Sequence, residues 1–258
     1  HNYYPPLLWR NKEKVFLKGN VLTNSLVDRK RVSKIRTTYS HDLITAEALN
    51  FIQKHKRKPF LLHVHWTIPH ANNEGGRATG DGMEVPDYGI YKSEKWSPVK
   101  KGAAAMITRM DSDVGKIINL LEKLKLKENT LVFFTSDNGP WLPFETHSGS
   151  AGLLREGKGT TWEGGQRIPG IFWGAGIKPG VINDLGSTMD IFPTLLEMSK
   201  TSMVNDRIMD GVSIKNTLLK HEPSKRETIF YYRSREIYAL RYGEYKACLL
   251  YTSDAADE

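Results

Sequence analysis

The segment Thr130-Leu-Val-Phe-Phe-Thr-Ser-Asp-Asn-Gly139 sets the fold class. Its β-branched and aromatic run has the composition of a buried strand, and Asp137-Asn138-Gly139-Pro140 ends it abruptly. Open α/β sheets hold ligands beyond the carboxyl ends of their strands, which is where this carboxylate and amide oxygen stand. Two adjacent hard oxygen donors suit a Ca²⁺ or Mg²⁺ site. Downstream, Gly157-Lys-Gly-Thr-Thr-Trp-Glu-Gly-Gly165 brings Lys158 on a glycine-flanked loop. A cation there complements an oxyanion, so metal and lysine together suit an anionic ester.

Upstream, Ala103, Met106, Ile107, Met110, Val114, Ile117, Ile118, Leu121 and Leu124 recur on one helical face. Asp111 and Asp113 fall off that face and read as solvated or capping residues. Phe60-Leu-Leu-His-Val-His-Trp66 reads as another buried strand, with Ile68-Pro69-His70 as the turn at its end. His63 and His65 share one face of it and read as packed or hydrogen-bonded. Strand, long helix, strand is the βαβ unit of a mostly parallel sheet flanked by helices, an α/β class.

Earlier still, Ser40 is placed to cap a helix carrying Ile44, Ala48, Leu49 and Ile52, which Pro59 ends. Residues 1–38 read as loops with one short hairpin around Lys18-Gly19-Asn20, and 71–97 as a long surface loop. A further strand is expected at Ile168–Trp173 and a helix at Asp190–Met198, with Pro193 in its first turn. Beyond about residue 205 the pattern changes to short strands, Thr228–Tyr232 and Ile237–Arg241, with a turn at Tyr242-Gly243 into Tyr245. This predicts the start of a small C-terminal antiparallel subdomain. The expected division is 1–204, 205–247 and a tail at 248–258, whose sequence resembles a translated sequencing adapter.

The 258 residues carry a net charge of +8, with 39% hydrophobic and 26% charged residues, which favours a globular class over a disordered one. No apolar run approaches the roughly 20 residues of a membrane helix. The basic excess suits a polyanion, and no zinc-finger, ribonucleoprotein or basic-zipper pattern directs it to nucleic acid. Its densest run, Lys54-His-Lys-Arg-Lys58, sits at a predicted helix end, where cations complement the dipole. Cys248 is the single cysteine, so no disulfide framework or cysteine-rich metal site forms within the chain. Oligomeric state is not legible.

The motifs resemble those of the type I sulfatases as an ordered set. Ser136-Asp-Asn-Gly-Pro140, Leu153-Leu-Arg-Glu-Gly-Lys-Gly-Thr-Thr-Trp-Glu-Gly-Gly165 and Ile168-Pro169-Gly170 are similar to that family's downstream motifs. Pro59–His70 is similar to its strand ending in an active-site histidine, and Asp190–Leu196 to the helix that follows. His1–Pro6 with Leu8-Trp9-Arg10-Asn11 resembles arylsulfatase A-like and galactosamine-sulfatase-like members. The resemblance implies an alkaline-phosphatase-like α/β fold and hydrolysis of aryl or glycan sulfate esters. It implies Asp137 and Asn138 as calcium ligands, Lys158 as a sulfate contact and His70 as the partner of the ester oxygen. Trp141 and His147, between the two motifs, are candidates for the border of the substrate mouth. Related enzymes work in the lysosome, the periplasm or outside the cell, so an extracytoplasmic location is implied.

One family element is absent from the sequence. The formylglycine nucleophile is made from a Cys/Ser-x-Pro/Ala-x-Arg motif, which Ser33-Lys-Ile-Arg36 does not fit. In the family order that motif, two further calcium aspartates and a lysine–histidine pair precede the residues seen here. The expectation is an internal fragment, inactive alone. Two other readings stay open at this point. One is a phosphodiesterase or phosphonate hydrolase on the same fold; the other is a non-enzymatic protein binding acidic polysaccharide.

Overall fold

The computed structural model describes residues 2–22, 32–147, 149–202 and 206–250. They form two compact units: 2–126 with 144–147, and the remainder from 127 onward. The expected boundary at 204/205 and most of the expected tail lie outside the described residues.

The first unit opens with a hairpin, β1 (Leu7–Arg10) against β2 (Glu13–Phe16), followed by β3 (Val21–Leu22) against β4 (Ser33–Ile35). The hairpin tip is Asn11 at φ 56°, a left-handed position asparagine tolerates, and not the expected Lys18-Gly19-Asn20. Asn20 is instead buried, its amide holding Pro5 O and Thr38 O at 2.8 Å each. The N-terminal segment also supplies core: Tyr3 and Tyr4 pack with Tyr39, Ile68, Ala71, Met83, Ala103 and Met106.

Helix α1 (Ser40–His55) begins at Ser40, whose hydroxyl donates to Tyr3 O at 3.0 Å and does not cap. The expected loop at 71–97 contains α2 (Asn73–Thr79), capped by Asn72, whose side chain accepts from Gly75 N. Helix α3 (Pro98–Lys123) starts after Ser97, which caps it, with proline at the first helical position. Its buried face centres on Ala103, Met106 and Leu121, and Ile107 is 47% exposed. The nine-residue stripe is thus narrower than its apolar letters suggest, and Asp113 lies buried beside it, 2% exposed. That corrects the solvated reading of Asp113: α1 covers it.

Phe60–Trp66 corrects a second expectation. Its burial alternates, with Leu62, Val64 and Trp66 half-buried and Leu61, His63 and His65 exposed, and no ladder is assigned to it among the described residues. The period is that of a strand, yet half of it faces outward. The two histidine rings stack at 5.8 Å on that outer face, so they are not core residues.

In the second unit, β5 (Leu131–Thr135) is followed by α4 (Glu163–Gln166) and β6 (Gly170–Gly174). β5 pairs antiparallel with β6, Leu131 opposite Gly174 and Thr135 opposite Gly170, and Phe133 stacks on Phe172 at 4.6 Å. Every ladder among the described residues is antiparallel, so the expected parallel pairing is not among them. The 34 residues between the strands return the chain to the same edge in the opposite sense.

α5 (Ile191–Met198) and α6 (Lys215–Lys220) precede a three-stranded sheet, β7 (Thr228–Arg233), β8 (Glu236–Tyr242) and β9 (Tyr245–Cys248). This matches the antiparallel C-terminal pattern expected. Asp190, fully buried, anchors the region: Arg226 grips it with Nε at 2.7 Å and Nη2 at 2.5 Å, and the Ser187 and Val212 amides complete its shell.

Candidate functional site

β5 delivers its last residues into a turn. Ser136 Oγ donates to Asn138 O at 3.1 Å, and Asn138 Nδ2 donates to Gly139 O at 2.9 Å. With its nitrogen committed there, the side-chain oxygen of Asn138 is the end chemically able to ligate a cation. Asp137 beside it is exposed. The pair offers two hard oxygen donors of the kind a divalent cation takes.

Two backbone hydrogen bonds join this turn to the lysine loop, and a third closes the loop on itself to complete the weave. Gly139 N donates to Gly165 O at 3.0 Å, Lys158 N to Pro140 O at 2.8 Å, and Gly164 N to Arg155 O at 2.8 Å. The approach is too close for side chains. A Cβ on Gly139 would stand 1.7 Å from Gly164 O, and one on Gly164 would stand 1.9 Å from Glu156 O. Thr160 Oγ1 donates to Gly157 O at 2.9 Å and tightens the same loop. Asp137, Asn138 and Lys158 are thus carried on one backbone assembly, with Lys158 half-buried and the Trp141 ring against Gly159.

The other expected site residues belong to the first unit. His70 follows a cis Ile68–Pro69 bond, and the Tyr3 hydroxyl donates to its carbonyl oxygen. Its Nδ1 lies 2.7 Å from Ala71 O, so that nitrogen carries the hydrogen and the neutral ring has its lone pair on Nε2. A proton given up at Nε2 would have to come from the imidazolium form. His147 ends a short 3₁₀ turn, Leu142–His147, and stacks on Phe144 at 5.2 Å.

A third cluster escaped sequence reasoning. His41, Asp42 and Asp113 place one ligand atom each within 4.8 Å of one another. Their valences are already taken. Asp113 accepts His41 Nε2 at 2.8 Å, Thr45 Oγ1 at 3.0 Å and Lys116 Nζ at 2.6 Å, while Arg109 grips Asp42 at 2.7 and 2.6 Å. A metal would have to displace two cations, so the cluster ties α1 to α3 and does not fit a metal. Burial holds the His41 ring below its ordinary titration range, against the pull of Asp113. Burial raises the Asp113 carboxyl, but the hydrogen bonds of Lys116, His41 and Thr45 outweigh it and leave the group depressed. The only sequence signal was the adjacent Ser40-His41-Asp42; nothing local marked Asp113 as its partner.

The chain is α/β and carries an acid–amide pair and a lysine on interlocked glycine loops. The family model described as Sulfatase matches residues 3–201, and the chain belongs to the sulfatase family. It is 39% identical over 214 residues to N-acetylgalactosamine-6-sulfatase of Mus musculus, covering 80% of this chain and 38% of that protein. It is 34% identical over 208 residues to an arylsulfatase of Hemicentrotus pulcherrimus, covering 80% of this chain and 35% of the relative. Among solved structures, Ps i-CgsB in complex with k-i-k-neocarrahexaose superposes with a TM-score of 0.69 at 26% identity, over 84% of this chain and 47% of that one. The fold is alkaline-phosphatase-like α/β. The chain spans little more than a third of the length of these curated relatives.

Proposed function

We propose that this chain carries the oxyanion-holding part of a sulfuric ester hydrolase acting on sulfated glycans or aryl sulfates. The observation that supports this most directly is the backbone weave joining the Asp137–Asn138 turn to Lys158, with Lys158 N on Pro140 O at 2.8 Å. A sulfate ester needs its non-bridging oxygens neutralised, and a divalent cation on Asp137 and Asn138 would supply part of that charge stabilisation. Lys158 supplies a cation from the same assembly. His70, its tautomer set by Ala71 O, is assigned to the leaving oxygen through Nε2. His147 is assigned to the rim that meets the rest of the substrate. The formylglycine expected for the family has no modification motif in this sequence, so the chain alone should not turn over. An extracytoplasmic setting follows from the same family reading. No helix among the described residues is long and apolar enough to cross a membrane.

Calcium takes about 6–8 oxygen ligands, and this pair offers two side chains, so its affinity should sit at about 10⁻³ M or weaker. Calorimetric titration with Ca²⁺ and then inorganic sulfate tests the assignment. Weak Ca²⁺ binding lost in Asp137→Ala, and sulfate binding lost in Lys158→Ala, are the expected results. Binding that survives both substitutions would overturn it.

A further inference from the structure

We propose that Glu163 is a positioning residue for the anion site, through which the C-terminal sheet holds the Lys158 loop and the Asp137–Gly139 turn together. This rests on the sulfatase reading of Asp137 and Lys158. Glu163 opens α4 in the middle of Thr160-Thr-Trp-Glu-Gly-Gly165, immediately before the two glycines that meet Arg155, Gly139 and Gly157. Its carboxylate does not serve that loop. It accepts Tyr231 OH at 3.2 Å, Arg241 Nη1 at 3.0 Å and Lys246 Nζ at 2.9 Å. Those donors come from β7, β8 and β9, one from each strand, and Arg241 and Lys246 are direct cross-strand partners.

Lys246 closes the clamp twice. It also donates to Thr161 O at 2.6 Å, and its ammonium group sits 3.7 Å from the Tyr231 ring centre. The ion pairs are largely shielded, with Lys246 12% and Glu163 22% exposed, so solvent weakens them less than an ordinary surface pair. One carboxylate separates two cations here. Neutralising it turns attraction into repulsion between Arg241 and Lys246, with no other acid in the set to absorb it. The strain falls on the residue next to Gly164, whose amide and whose neighbour's carbonyl make two of the three bonds of the weave. A sheet that sequence alone presents as a separate subdomain thereby sets the spacing of the site.

Amide hydrogen exchange on the full chain reads this without ligand or turnover. In Glu163→Gln and in Lys246→Met, the amides of Gly139, Lys158 and Gly164 should exchange about tenfold faster or more, as the loss of a charge-assisted hydrogen bond implies. Phe133 and Phe172, in the β5–β6 ladder, should keep their protection. Lys246→Arg should restore the three amides, and the double variant should be no faster than either single. Unchanged protection at the three amides overturns the proposal, and so does equal acceleration through β5 and β6, which would mean general loosening. Inorganic sulfate titrated onto the native chain separates the two readings. If the Lys158 amide ignores sulfate while Glu163→Gln still frees the three amides, the sulfatase assignment of Lys158 fails and the clamp stands. If sulfate binds and Glu163→Gln leaves its affinity unchanged, the positioning role fails alone.

Discussion

Replacing Gly139 with alanine probes the weave at its tightest point. Gly139 does not require glycine for its backbone angle, since its φ is not positive; it requires glycine for space. The added Cβ would lie 1.7 Å from Gly164 O and 2.9 Å from Gly164 C. Side-chain carbons approach no nearer than 3.0 Å, so the strands of the weave must part by at least 3.0 − 1.7 = 1.3 Å. The obstacle is backbone already bonded to Arg155 O, which cannot swing aside as a side-chain tip can. Overpacking of this kind costs about 1–3 kcal/mol, and losing the Gly139 N to Gly165 O bond adds about 1 kcal/mol. A separation of that size also moves Asp137 and Asn138 away from Lys158, and about 1 Å of misplacement is enough for a hundredfold loss in a reacting site. Urea denaturation combined with amide exchange is the assay. Gly139→Ala should lower stability by about 2–4 kcal/mol and expose the Gly139 and Lys158 amides. Gly186→Ala, where no atom lies within 4 Å of the added carbon, should change neither. Native-like protection of both amides in Gly139→Ala would refute the reasoning, because the contact could then not be what holds the loops.

Other perturbations have comparably definite outcomes. Arg226→Met leaves the fully buried Asp190 carboxylate without its cation and should cost about 3–5 kcal/mol in urea denaturation. The His41 site makes stability depend on pH. The ring is held below its ordinary value of 6.5 by burial, so the unfolded chain binds the proton first and the stability it contributes is complete above 6.5 and lost below. Asp113, depressed below 3.8, adds a second loss at lower pH as it protonates. His41→Gln should therefore flatten denaturation midpoints measured from pH 7 down to 5, and an unchanged slope would count against the assignment. Gly115→Ala, on the open side of α3 with no atom within 4 Å of the new carbon, should stabilise that helix by about 0.5–1 kcal/mol in thermal unfolding.

The parts of this chain legible from sequence are those whose cause is local. β5 announces itself in Leu131–Thr135 because a short apolar run bounded by Asp-Asn-Gly-Pro has few other conformations. α3 is legible from its stripe and from Ser97-Pro98, which fix where it starts. α2 was hidden because Asn-Glu-Gly-Gly-Arg-Ala-Thr is a poor helix by propensity; its stability comes from Asn72, whose side chain caps it and also donates to the buried Glu84 at 2.9 Å. Asp113 was misread for the same reason in reverse. An acid in a long helix is ordinarily solvated, and only the arrival of His41 and Thr45, about 70 residues earlier, makes it a core residue. The direction of the β5–β6 pairing was equally nonlocal, since both orientations satisfy the same apolar pattern.

The candidate site divides along that line. Asp137, Asn138 and Lys158 are visible as letters because the chemistry they offer is carried by their own side chains. What brings them together is carried by glycines and carbonyls, which have no side-chain signature beyond the absence of a Cβ. Motif glycines are usually taken as hinges, yet Gly139 and Gly164 have ordinary backbone angles and act by removing bulk where two loops meet. Such contact is rigid only while something keeps the loops from drifting apart, because three hydrogen bonds of about 1 kcal/mol each are readily traded for water at a surface. The shielded Glu163 cluster is a further constraint on that loop, and its partners lie some 70 to 80 residues downstream. Precision in the anion site is therefore a property of the C-terminal sheet as much as of the motif. A chain ended before β7 would keep every expected site letter in its sequence and lose the register between them.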